Sequence, residues 1–214
     1  MEAGFWHQKW AEGDIGFHAA KANPALQEHF GKLQMAAHGR VFLPLCGKTR
    51  DIAWLRGEGY RVTGAELSEL AIKALFDELG VVPEITNVGQ HLCYQSRNIR
   101  IFVGDIFDLS AKLLGPIDAI YDRAALVALP MEMRARYAAH LIEITDAAQQ
   151  LLISYEYDQQ LMNGPPFSVH ADEVKRLYSV TYDVRPLATQ SVPGGLRGKV
   201  PATETIWALQ MAHC

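Results

Sequence analysis

A chain of 214 residues, 49% hydrophobic and 21% charged, has the size and composition of one ordinary globular domain, and a single domain over residues 1–214 is expected. A formal net charge of -4, with no stripe dense in Lys and Arg, speaks against a nucleic-acid partner. The longest apolar runs, such as Leu151–Ser154, fall far short of the roughly 20 residues that span a bilayer, and the first residues carry no signal-peptide pattern. No membrane partner and a cytoplasmic location are therefore expected.

Cys46, Cys93 and Cys214 are odd in number and far apart, which fits reduced thiols better than a disulfide framework. The histidines form no His-Glu-x-x-His pattern and no paired Cys/His cluster, so no bound metal is expected.

Residues 1–38 are aromatic and amphipathic and read as a helical cap over the core. Asn23 and Pro24 supply an N-cap and first turn for a helix reaching about His38. Arg40–Leu45 is a short apolar run suited to a buried strand, followed by the turn Cys46-Gly-Lys-Thr49 and a helix through Leu55. The pattern repeats: Arg61–Glu66 is a strand, Ser68 an N-cap, Glu69–Leu79 a helix, and Gly80 its stop. Arg100–Val103 and Ile117–Tyr121 read as further strands. Pro130 then opens a helix with Met133, Tyr137, Leu141 and Ile144 on one face, and Leu151–Ser154 is the next strand. Strands alternating with helices require right-handed crossovers, which predicts an α/β, Rossmann-like fold with a mostly parallel central sheet and helices on both faces. Extended runs at Val180–Pro186 and Thr203–Met211, around a Gly/Pro-rich loop at Pro193–Gly198, suggest an antiparallel C-terminal edge.

In such sheets ligands bind beyond the carboxyl ends of the strands. Five places qualify. Gly47, after the first strand, lets backbone approach a ligand closely, although a simple turn fits equally well. Glu66 ends the next strand about 20 residues later, the separation at which an acidic side chain accepts hydrogen bonds from a ribose diol. A solvated glutamate before a helix is the plainer alternative. Asp105, followed by the apolar Ile106, could bond an adenine amino group while Ile106 packs on the ring, or merely start a turn. Arg123 could neutralise a carboxylate or an anionic acceptor, or pair only with Asp122. The run Phe5-Trp-His-Gln-Lys-Trp10, with Ile15-Gly-Phe-His18, could close over a nucleoside or simply staple the first helix to the sheet. Together these describe a nucleoside pocket with a lid.

The blocks Phe5–Trp10, Val41–Lys48, Gly64–Ser68, Tyr121–Leu126 and Gly164–Phe167 resemble those of the thiopurine S-methyltransferases, in the same order and over nearly the whole chain. The resemblance implies a methyltransferase fold with S-adenosylmethionine as donor. It implies that Trp6, Trp10, Leu45, Glu66, Asp105, Ile106 and Arg123 line the cofactor, with Phe17 touching the acceptor and Arg197 approaching it. It further implies methylation of thiopurines, extending to selenium and tellurium species, by a monomer that meets a small-molecule thiol or metalloid acceptor. The glycine-rich turn common among methyltransferases is reduced here to Cys46-Gly47.

Attack by a thiolate on the donor methyl needs alignment and exclusion of water, and no dedicated base is expected. Two rivals stand beside this reading. A methyltransferase for oxygen or nitrogen acceptors would call on a base such as Asp14, His7 or His18. A non-catalytic protein could instead bind the cofactor or its demethylated product. A single glycine in Leu45–Arg50 disfavours a dinucleotide fold, and the missing upstream glycine before Gly47-Lys-Thr49 disfavours a P-loop.

Overall fold

Local chemistry accounts for most of the elements. The computed structural model of the protein describes residues 3–16 and 18–211. Helix α1 (Ala3–Glu12) is followed by α2 (Pro24–His29), where the Asn23 side chain accepts from the Ala25 amide at 2.8 Å. The helix expected to reach His38 stops early. It tightens into a 3-10 turn over Phe30–Leu33 and ends at Gln34, which is left-handed at φ 51°. Three residues per turn align Phe30 with Leu33, and both are buried in the core.

Strand β1 (Arg40–Leu43) is shorter than the run Arg40–Leu45 suggested, because Pro44 has no amide to donate and Leu45 is left-handed at φ 47°. After α3 (Asp51–Gly57) come β2 (Arg61–Glu66) and α4 (Glu69–Leu79), with the bounds their punctuation predicted. Ser68 caps the helix, and Gly80, at φ 65°, ends it. The antiparallel pair β3 (Glu84–Val88) and β4 (His91–Ser96) is a finding the sequence reading did not contain. Its outer strand is almost wholly exposed, so no apolar periodicity marks it. Next are β5 (Ile99–Val103), the short α5 (Ala111–Leu114), β6 (Ala119–Arg123), α6 (Met131–Ile144) and β7 (Gln149–Glu156). A further unforeseen helix, α7 (Ala171–Tyr178), precedes β8 (Tyr182–Ser191) and β9 (Thr203–Met211).

The strands form one sheet in the order β3-β4-β5-β2-β1-β6-β7-β9-β8. The five central strands, β5 to β7 in that order, run parallel, and both ends of the sheet are antiparallel. Alternation along β1 sends Val41 and Leu43 to one face and Phe42 to the other. The first face packs against α2, α3 and α4 through Leu26, Ile52 and Leu75. The second packs against α6 and α7 through Tyr137, Leu141 and Tyr178. From β1 the chain builds outward through β2 and β5, then returns to lay β6 on the other side of β1. The carboxyl ends of β1 and β6 therefore flank the crevice where a sheet of this kind binds ligand.

Candidate active site

The turn after β1 carries two left-handed residues, Leu45 at φ 47° and Gly47 at φ 52°. A side chain at Gly47 would stand 3.0 Å from the Trp10 ring, so the absence of one is what lets α1 lie over the turn. Cys46 points the other way. Its Sγ lies 2.9 Å from where a Cβ on Gly64 would sit, and burial, then the Glu66 carboxylate, push its thiol well above the usual range. It is a packed thiol held in its neutral form.

Glu66 closes β2 with 6% of its surface exposed. Its Oε2 accepts the Gly47 amide and its Oε1 the Ser68 amide, both at 2.8 Å. Burial raises its pKa and the backbone amides pull it back. A carboxylate has about four acceptor sites, more than the backbone amides of Gly47, Ser68 and Leu67 fill, so acceptor capacity remains for a ligand hydroxyl.

Beyond β5, Gly104 adopts φ 153°, and a Cβ on it would lie 2.6 Å from the His91 ring. Asp105 accepts the Phe107 amide at 3.0 Å and caps a short 3-10 turn over Ile106–Asp108. The turn-starting and ligand-facing readings of Asp105 are thus compatible, because the same residue lines the cavity described below. Beyond β6, Ala124 is left-handed at φ 62°. Asp122, fully buried, holds this bend: its carboxylate accepts the Leu126 amide at 3.0 Å and the Tyr137 hydroxyl at 2.8 Å. Burial pushes its pKa up to about 6. The neighbouring Arg123 is half-buried at the mouth of the strand.

These strand ends and the N-terminal segment enclose a cavity of about 360 Å³, within the range of small-molecule sites. Trp6, Trp10, Leu45, Gly47, Glu66, Asp105, Ile106, Arg123 and Arg197 all line it. Phe17 lies outside the described residues. Within the 1–38 segment, Trp6, Trp10, Gly16 and His18 are among the residues that line the cavity, whereas Ala25, Leu26, Phe30 and Leu33 belong to the core. Lys9 pairs with Asp14, and the Arg197 charge, from the β8–β9 loop, also acts on Asp14. Burial and the Lys48 ammonium hold His18 below the usual imidazole range, while Lys48 and Arg50 are bound to Glu78 at 2.7 and 3.2 Å. Sequence reasoning missed Tyr155 and the walls formed by Met133, Pro165 and Pro166. Tyr155 stands near the carboxyl end of β7, where the strand-end rule would have found it. Its phenol is raised by burial and by a hydrogen bond to Glu204.

The cavity suits a sulfonium nucleoside. A buried carboxylate with acceptor capacity ends β2, apolar Leu45, Ile106 and Phe107 line the walls, and the Cys46-Gly47 turn has no phosphate cradle to fill. Among the described residues no group of three or more His, Cys, Asp or Glu is placed to hold a metal, and no helix is long and apolar enough to cross a membrane.

A sequence profile described as thiopurine S-methyltransferase matches residues 1–206. The chain belongs to the thiopurine S-methyltransferase family. A thiopurine S-methyltransferase of Xanthobacter autotrophicus is 56% identical over 213 residues, covering 99% of this chain and all of that one. Its counterpart in Teredinibacter turnerae is 50% identical, covering 98% and 97%. Solved structures share the fold at low identity. The 1,6-didemethyltoxoflavin-N1-methyltransferase of Burkholderia thailandensis, solved with S-adenosylhomocysteine, superposes with a TM-score of 0.66 at 17% identity, covering 98% of this chain and 87% of that one. An S-adenosylmethionine-dependent methyltransferase of Anabaena variabilis gives 0.62 at 13%, covering 97% and 95%. This family member is thus an S-adenosylmethionine-dependent methyltransferase with the Rossmann-like sheet its strand pattern predicted.

Proposed function

We propose that this methyltransferase acts on the sulfur of aromatic and heterocyclic thiols, thiopurines among them, and also on selenium and tellurium anions. The observation that carries this reading is the convergence of Glu66, Arg123, Arg197 and two lid tryptophans on one cavity. S-adenosylmethionine, when bound, supplies an electrophilic methyl on a positively charged sulfur. Glu66 accepts hydrogen bonds from the ribose hydroxyls, Asp105 from the adenine amino group, and Ile106 and Leu45 give the apolar walls. Trp6 and Trp10 cover the site and exclude water. Arg123 serves the donor carboxylate or the anionic acceptor, and Arg197 approaches the acceptor.

A thiolate arrives already deprotonated, so these residues align and desolvate the reactants without moving a proton. Two arginines at the site favour an anionic over a neutral acceptor. We place the whole chain, 1–214, in one domain, in which α1 serves as the cap while the α2 part of the 1–38 segment packs in the core, working as a cytoplasmic monomer without nucleic-acid or membrane partners.

Incubation with label-bearing donor and a panel of aromatic thiols, selenite, tellurite, phenols and amines tests the acceptor class. Transfer to thiols above all is expected. Label found only on oxygen or nitrogen acceptors, or on none, would overturn the reading.

A further inference from the structure

The chain segment after β5 leaves the sheet at Gly104, yet it supplies Asp105, Ile106 and Phe107 to the cavity wall. Two histidines from different elements hold it. His91 of β4 has Nε2 2.9 Å from the Asp105 carbonyl, and His140 of α6 has Nε2 2.7 Å from the Ile106 carbonyl. A carbonyl only accepts, so both imidazoles donate from Nε2–H. His91 is 2% exposed, and its ring occupies the space that a Cβ on Gly104 would need. His140 also stacks at a tilt on Phe107, with centroids 5.6 Å apart, and the Arg136 guanidinium covers that same ring at 3.9 Å. Consecutive carbonyls are thereby gripped from two elements, one from β4 of the sheet and one from α6.

We propose that His91 and His140 are positioning residues that preorganise the donor site by clamping the Asp105–Phe107 wall. Neither lines the cavity, so each acts through the backbone it holds. Past the Gly104 amide, which bonds the Glu66 carbonyl, the segment's own backbone bonds are those of one 3-10 turn, so without the two imidazoles it would sample more conformations and binding would bear the cost of ordering it. The clamp transfers that cost to folding. The inference rests on the reading of Asp105–Phe107 as the adenine side of the donor site.

The test measures S-adenosylhomocysteine affinity by calorimetry and steady-state turnover at saturating donor. His140→Leu removes the donor N–H at a half-buried position and is expected to raise Kd about tenfold, the effect of one lost hydrogen bond, while kcat stays within about twofold. His140→Gln places an N–H at the reach of Nε2 and is expected to recover most of the affinity. His91→Gln follows the same logic at the buried site, and nitrogen-15 spectra of the wild-type rings are expected to show the Nε2-protonated tautomer for both. Ile106→Ala separates the two levels of argument. If it leaves Kd unchanged, the wall assignment falls and the clamp with it. If it weakens binding while His140→Leu, with its thermal midpoint unchanged, does not, the clamp alone falls. An Nδ1-protonated His140 would also overturn it.

Discussion

Gly47 and Glu66 meet across the carboxyl ends of β1 and β2, where the glycine amide donates to the buried carboxylate at 2.8 Å. This bond ties the turn beneath Trp10 to the carboxylate that ends β2, so two walls of the cavity are set by one contact. The second carboxylate oxygen is held by the Ser68 amide, which also begins α4. Glu66 therefore holds two backbone segments together while it lines the cavity, and the proposed ribose contact would add a binding role.

Replacing Glu66 with Ala removes both backbone contacts and the diol acceptor. Hydrogen bonds to a charged group are each worth roughly 1.5–3 kcal/mol, so donor affinity is expected to fall about 10- to 100-fold for every acceptor tested. Titration calorimetry with S-adenosylhomocysteine checks this, and an unchanged Kd would remove Glu66 from the site.

At Gly47 the backbone conformation and the Trp10 ring make separate demands. Gly47→Ala meets a left-handed conformation costing about 1 kcal/mol and a contact 3.0 Å from Trp10. Donor KM is expected to rise several-fold in that variant. In the double variant with Trp10→Ala, the two effects should sum to less than their separate values, because the clash has gone. Strict additivity in the double-mutant cycle would show that the ring and the turn are uncoupled.

Arg123→Ala is expected to lower kcat/KM for anionic thiols about 10- to 100-fold, the scale of a charge-assisted contact, and to spare neutral acceptors. Arg123→Lys retains charge without the planar fork and should fall between. Equal losses for charged and neutral acceptors would assign Arg123 to the donor instead.

Asp122 carries a pH signature. Its folded pKa of about 6 lies above the ordinary 3.8, so the native state holds the proton more tightly than the unfolded chain. Its contribution is fully present below pH ~3.8 and is lost as pH rises towards and through 6; the shift of about two units corresponds to roughly 3 kcal/mol. Urea midpoints of the wild type are therefore expected to fall across this window relative to those of Asp122→Asn, which has no carboxyl to titrate there. Parallel midpoints from pH 4 to 7 would contradict the shift.

Some of this was legible residue by residue. The β2–α4 unit follows from Ser68 and Gly80, because caps and stops act over a few neighbouring residues. Glu66 and Arg123 were legible because strands end where apolar runs end. The β3–β4 hairpin was not, since the exposed strand Glu84–Val88 buries too little to show a period. Nor was the early end of α2, because Gln34, which turns left-handed after the 3-10 turn, carries no stop signal of the glycine or proline kind.

Composition, punctuation and the strand-end acids and arginine determined the fold class and which side chains could meet a ligand, because such signals are local and survive in one dimension. Only the folded chain decided that β6 lies beside β1, that Tyr155 joins Arg123 at one cavity, and that His91 and His140 reach consecutive carbonyls. Those placements come from parallel pairing and packing between segments distant in sequence. Many partners of similar hydrophobicity compete for such contacts, and only the register and order of the whole sheet select among them.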